Sequence, residues 1–146
     1  MKNTDVDLIM DLFKKGFNCA QIVLLSNCND FGLNSELAKK IAGGFGGGLA
    51  RSGDVCGAVT GALMLIGLKY GNYKDDDLVS KDNVNKTGND YLQMFKNEFG
   101  SIKCKDLIKY DLSIEDEAKK ARESGIFKTL CPLLVKRSVE LVENIL

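Results

Sequence analysis

The sequence predicts an all-α fold: a single compact helical domain, residues 1–146, of roughly seven or eight helices. Three observations carry this. Apolar residues recur at helical spacing through most of the chain. No stretch shows sustained period-2 alternation with β-branched enrichment, and there is no Asn-Gly hairpin signal. Capping and breaking residues stand where the periodic segments start and stop.

In chain order, Val6, Ile9, Met10, Phe13 and Phe17 form the first stripe. Asn18 precedes a second helix over 20–28, and Ser35 precedes a third over 36–42, which carries Leu37, Ala38 and Ile41. The apolar run 58–68 follows, with Gly71 placed to end its helix. A polar link, 72–77, includes Asp75-Asp76-Asp77, which lacks the spacing and glycine of a calcium loop and predicts a solvated turn. Leu92, Phe95 and Phe99 mark the next helix, closed by Gly100. Ser113 and Asp116 resemble a capping pair before a helix over 114–123, ended by Gly125. Pro132, the only proline, is placed as the first helical residue of the C-terminal helix. That helix sets Leu134, Val135, Val139, Val142 and Ile145 opposite Lys136, Arg137, Glu140 and Glu143.

The composition excludes several classes of function. Twenty basic and twenty acidic residues cancel, so nothing points to nucleic acid or an anionic lipid surface. There is no histidine, which removes mechanisms that need imidazole as base or ligand. Asp5, Asp7 and Asp11 interrupt the N-terminal segment, so no signal-peptide apolar region is expected. The stretch 58–68 is shorter than the about 20 apolar residues needed to span a bilayer. A cytoplasmic location is expected, and five cysteines in a reducing compartment do not make a static disulfide framework.

Those cysteines, Cys19, Cys28, Cys56, Cys104 and Cys131, contain no C-x-x-C spacing, so neither a zinc knuckle nor a thioredoxin-type motif is present. Four of them fall at predicted helix starts. Cys19 follows Asn18, Cys56 begins the apolar helix, Cys104 opens a short helical turn, and Cys131 precedes Pro132. Unpaired amides and the helix dipole at such positions favour thiolate, predicting lowered pKa values. Cys28, near the end of the same helix as Cys19, reads as core.

The segment from Gly43 to Asp54 is glycine-rich, but it has no G-x-G-x-x-G spacing and follows a helix, not a strand. Gly48 and Gly53 have phosphate-loop spacing, yet Asp54-Val55 stands where lysine and a hydroxyl are required. The glycines instead predict a close approach that leaves Cys56 accessible. Gly57-x-x-x-Gly61 and Ala58-x-x-x-Ala62 offer a smooth face to a neighbouring helix.

Residues 45–71, with Cys56-Gly57-Ala58-Val59-Thr60-Gly61 at their centre, resemble the C_GCAxxG_C_C family of redox-active proteins. Cys19 matches the family's first lone cysteine, and Cys104 and Cys131 match its last two in order. Cys28 lies outside the pattern. The resemblance covers nearly the whole chain and implies a redox or metal-cluster role.

Two chemistries and one inert alternative follow. In the first, two of Cys56, Cys131, Cys19 and Cys104 act as attacking and resolving thiols, which requires Cα atoms within about 7 Å. Cys56 is the first choice of nucleophile, with Arg51 the candidate cation beside it, and Cys131 is the second. The electron donor or other redox partner is not specified by the residues. In the second, Cys19, Cys56, Cys104 and Cys131 ligate an iron–sulfur cluster or another thiophilic metal ion. In the third, the chain is a helical interaction protein with cysteines scattered as core filler, its C-terminal helix contributing to a homodimer.

Overall fold

The computed structural model describes residues 5–146; residues 1–4, the start of the predicted domain and of the segment read as lacking a leader, lie outside them. The fold class is all-α as the periodicity indicates, with no strand among the described residues. The helices are α1 (Val6–Lys14), α2 (Cys19–Asn27), α3 (Ser35–Ala42), α4 (Gly57–Tyr70) and α5 (Leu78–Phe99), then α6 (Cys104–Ile108), α7 (Glu115–Ser124), α8 (Ile126–Thr129) and α9 (Cys131–Ile145). A 3-10 turn, Cys28–Phe31, extends α2.

Helices α2 and α4 are apolar almost all round, which suits a helix enclosed on every side. They pack against each other at the centre, with α3, α5 and α9 around them and α1 against α9. Gly61 makes the α2–α4 contact close. A Cβ there would lie 2.7 Å from the Ala20 carbonyl oxygen and 2.9 Å from the Val23 Cβ. The smooth face read from the sequence therefore receives α2. Tyr91 on α5, Ser138 on α9 and the Ala58 carbonyl on α4 form a buried chain. The Ser138 hydroxyl donates to Ala58 at 2.6 Å and pairs with the Tyr91 hydroxyl at 2.6 Å.

Several element boundaries differ from expectation for local reasons. Asn34, not Ser35, caps α3, its side chain accepting from the Leu37 amide; Ser35 is already helical. Ser113 and Asp116 form no capping pair. The Ser113 amide donates to Asp111, a competing turn-type bond, and α7 starts without a side-chain cap. Pro132 is the second helical residue of α9, behind Cys131. Gly71 does end α4, but in extended rather than left-handed backbone, whereas Gly100 and Gly125 adopt the left-handed form. Among the described residues, no helix is long and apolar enough to cross a membrane.

Candidate functional site

Cys19, Cys56, Cys104 and Cys131 all stand at helix starts. Cys19, Cys104 and Cys131 are the first residues of α2, α6 and α9, and Cys56 caps α4. Those four starts meet around one cavity of about 740 Å³, lined by all four cysteines. Cys28 is fully buried in the central core and takes no part.

Two local devices bring the starts together. The first is the Asn18 side chain. It accepts from the Gln21 amide at 2.9 Å, closing a capping box with Gln21, and donates to the carbonyls of Ala42 and Gly43 at 3.2 and 3.1 Å. It thus fixes the start of α2 and the root of the glycine segment at once. A Cβ on Gly46 would meet the Asn18 Cβ at 2.5 Å, so that segment lies directly on the cap.

The second device is the glycine segment itself. Gly47, Gly48, Leu49, Ala50 and Arg51 are consecutively left-handed, with φ of 61, 70, 66, 51 and 62°. Left-handed backbone costs roughly 1–2 kcal/mol per non-glycine residue. The turn is held by its own amides, Ala50 donating to Gly44 at 2.8 Å, Arg51 to Gly46 at 3.0 Å and Asp54 to Gly48 at 2.9 Å. A Cβ on Gly48 would sit 2.6 Å from Asp54 backbone atoms and 2.7 Å from the Cys104 Cβ, so only glycine fits.

Beyond that turn the chain pairs briefly with the stretch before α6. Val55 and Lys103 form an isolated antiparallel bridge. The Cys56 amide donates to Ile102, and the Cys104 amide to Asp54, each at 2.7 Å. This pairing ties Cys56 to Cys104. Gly57, whose Cβ would meet the Ala20 amide at 2.9 Å and the Cys19 Cβ at 3.0 Å, lets α4 begin against Cys19.

The electrostatics depart from the expectation that helix starts lower every thiol. Burial dominates at Cys56, pushing it to about 11 although the Ala58 and Val59 amides pull the other way. Burial also pushes Cys104 to about 12, reinforced by Cys56, Cys131 and Asp111. Cys19 is raised well above the ordinary value, first by its hydrogen bond with Cys131 and then by burial. Cys131 alone is lowered, because the Cys19 side chain hydrogen-bonds it and outweighs its desolvation. Taking a thiolate out of water costs more at these positions than the first-turn amides return.

Arg51 lines the cavity and is solvent-exposed. The influences on Cys56 come from burial, the α4 amides and Cys131, and not from Arg51. Of the four, Cys131 is the thiol shifted towards the thiolate, whereas Cys56 is shifted away from it.

The ligand alternative meets a geometric obstacle. Among the described residues, no group of three or more cysteine, aspartate or glutamate side chains is gathered closely enough to hold a metal ion. The four sulfurs share a cavity wall without converging on one metal-ion position.

Residues 17–145 match the sequence pattern of the family described as "Putative redox-active protein (C_GCAxxG_C_C)". No curated protein and no solved structure matches the chain. The chain belongs to this C_GCAxxG_C_C family.

Proposed function

We propose that this family member performs thiol–disulfide exchange through Cys131 and Cys19, Cys131 attacking and Cys19 resolving. The observation that carries the proposal is geometric: Cys19, the first residue of α2, packs against the buried cluster that holds Cys131, the first residue of α9, at the wall of one cavity. Cys131 is the thiol lowered by that neighbour.

The reaction balances as follows. The Cys131 thiolate attacks one sulfur of an incoming disulfide, R–S–S–R, breaking its S–S bond and releasing one R–S⁻. Cys19 then loses its proton and attacks the Cys131 sulfur, releasing the second R–S⁻ and closing a Cys19–Cys131 disulfide. Two protein thiols are oxidised by two electrons, and the disulfide is reduced to two R–SH that carry the two protons. The half-buried position of Cys19, more open than the other three, suits the resolving step at the cavity side. Cys56 and Cys104, held neutral by burial, stay out of the first attack.

Peptide mapping after treatment with bis(2-hydroxyethyl) disulfide tests this. The expected product is a Cys19–Cys131 crosslink, and in Cys19→Ser a mixed disulfide trapped on Cys131. Crosslinks confined to other pairs, or five thiols left free, would overturn the proposal.

A further inference from the structure

The chain has three arginines, and two of them face the cysteine cavity. Arg137 on α9 is fully engaged, with Glu98 at 2.8 Å and Glu140 at 3.1 Å. Arg51 and Arg122 make no ion pair among the described residues. Both line the cavity, and no aspartate, glutamate or lysine does. Its charged wall is therefore wholly cationic, in a chain whose charges cancel.

The placement of Arg51 is built into the backbone. It is the last residue of the left-handed turn, at φ 62°, with its amide bonded to Gly46 at 3.0 Å. Arg122 projects from the last turn of α7. The long helices α2, α4 and α9 also begin at this cavity, and the positive ends of their dipoles add to the same sign of potential. A volume of about 740 Å³ is in the range of small-molecule pockets. Guanidinium groups bind carboxylates through a planar two-point fork, a preference that an ammonium lacks.

We infer that the cavity selects small disulfides bearing carboxylates, received by Arg51 and Arg122 while the S–S bond is presented to Cys131. This rests on the thiol–disulfide exchange proposed above and assigns the class of its substrate. The arginines are positioning and specificity groups, and the sulfur chemistry stays with the cysteines.

Three disulfides of similar length and different charge test the inference: dithiodipropionate with two carboxylates, bis(2-hydroxyethyl) disulfide with none, and cystamine with two ammonium groups. The rate of Cys19–Cys131 crosslinking by each is divided by the rate at which the same probe oxidises dithiothreitol, which cancels intrinsic reactivity. The dianion is expected to exceed the neutral probe by about tenfold, from two exposed charge pairs, and cystamine to fall below it. The preference should shrink towards unity in Arg51→Gln/Arg122→Gln and, in the unaltered protein, at high salt of about 1 M. Equal normalised rates, a cationic preference, or a preference that survives both changes overturns the inference while the exchange stands. Failure of all three probes, the neutral one included, overturns the exchange itself and the inference with it.

Discussion

Cys19, the first residue of α2, packs against the buried cluster that holds Cys131, the first residue of α9, and the interaction of the two side chains shifts the thiols in opposite directions, Cys131 down and Cys19 up. A proton shared between two sulfurs stabilises the charge on one at the expense of the other. In the exchange proposed above this orders the pair, Cys131 at the start of α9 attacking and Cys19 at the start of α2 resolving.

This ordering predicts a divided response to substitution at Cys19. In Cys19→Ala the donor is lost, so the pH midpoint for alkylation of Cys131 should move up towards that of an ordinary thiol. In Cys19→Ser a hydroxyl donor remains, so the midpoint should stay low although no disulfide can close. Iodoacetamide labelling against pH, read by mass spectrometry at Cys131, makes the measurement. Equal midpoints in the two variants would remove the hydrogen bond as the cause.

Burial of Cys56 predicts alkaline instability. Its folded pKa of about 11 lies above the value of about 9 it has when unfolded. Between those two pH values the folded state holds a proton that the unfolded state has released. Stability from this group is therefore complete below pH about 9 and is lost as pH rises to about 11. Two units correspond to about 2–3 kcal/mol. Urea denaturation across this range should show the loss, and Cys56→Ala should flatten the slope while lowering stability at neutral pH.

The close α2–α4 contact predicts opposite signs for two glycine substitutions on one helix. Gly61→Ala sets a methyl group against the Ala20 carbonyl and should cost about 1–3 kcal/mol. A Cβ at Gly67 meets nothing within 4 Å, so Gly67→Ala should stabilise the protein by up to about 1 kcal/mol through helix propensity. Thermal denaturation of the two variants side by side checks both.

What could be read ahead of the structure was what local pattern decides. Asn18, Pro132 and the apolar run after Cys56 mark helix starts, and those marks located Cys19, Cys131 and Cys56 correctly. Their acidity could not be read that way. It depends on how deeply each sulfur is covered by residues far along the chain, and on Cys19 meeting Cys131, a pairing without local signal. The Val55–Lys103 bridge is a single residue pair, too short to leave any alternation. Leu49, Ala50 and Arg51 resist left-handed backbone, so their own preferences argued against the turn that carries Arg51 to the cavity. Ser113 shows the converse failure: its capping pattern was present, but Asp111 took its amide.

The buried Tyr91–Ser138–Ala58 chain leads to a prediction about coupling. Ser138 is fully buried, as is Tyr91, and the serine hydroxyl both donates to the Ala58 carbonyl and serves the tyrosine hydroxyl. Ser138→Ala leaves the Tyr91 hydroxyl and the extra acceptor on Ala58 unpaired away from water, at about 1–3 kcal/mol. Tyr91→Phe removes its own polar group and leaves Ser138 its bond to Ala58, so it should cost less. Once the tyrosine hydroxyl is gone, Ser138→Ala no longer orphans it. The double variant should then be less destabilised than the sum of the singles by about 1 kcal/mol. The chain ends at Ala58, whose amide also acts on Cys56, so loosening it should raise labelling at Cys56 selectively in Ser138→Ala. Additive stabilities with unchanged Cys56 labelling would show the three groups to be neighbours without coupling, and would detach this network from the site.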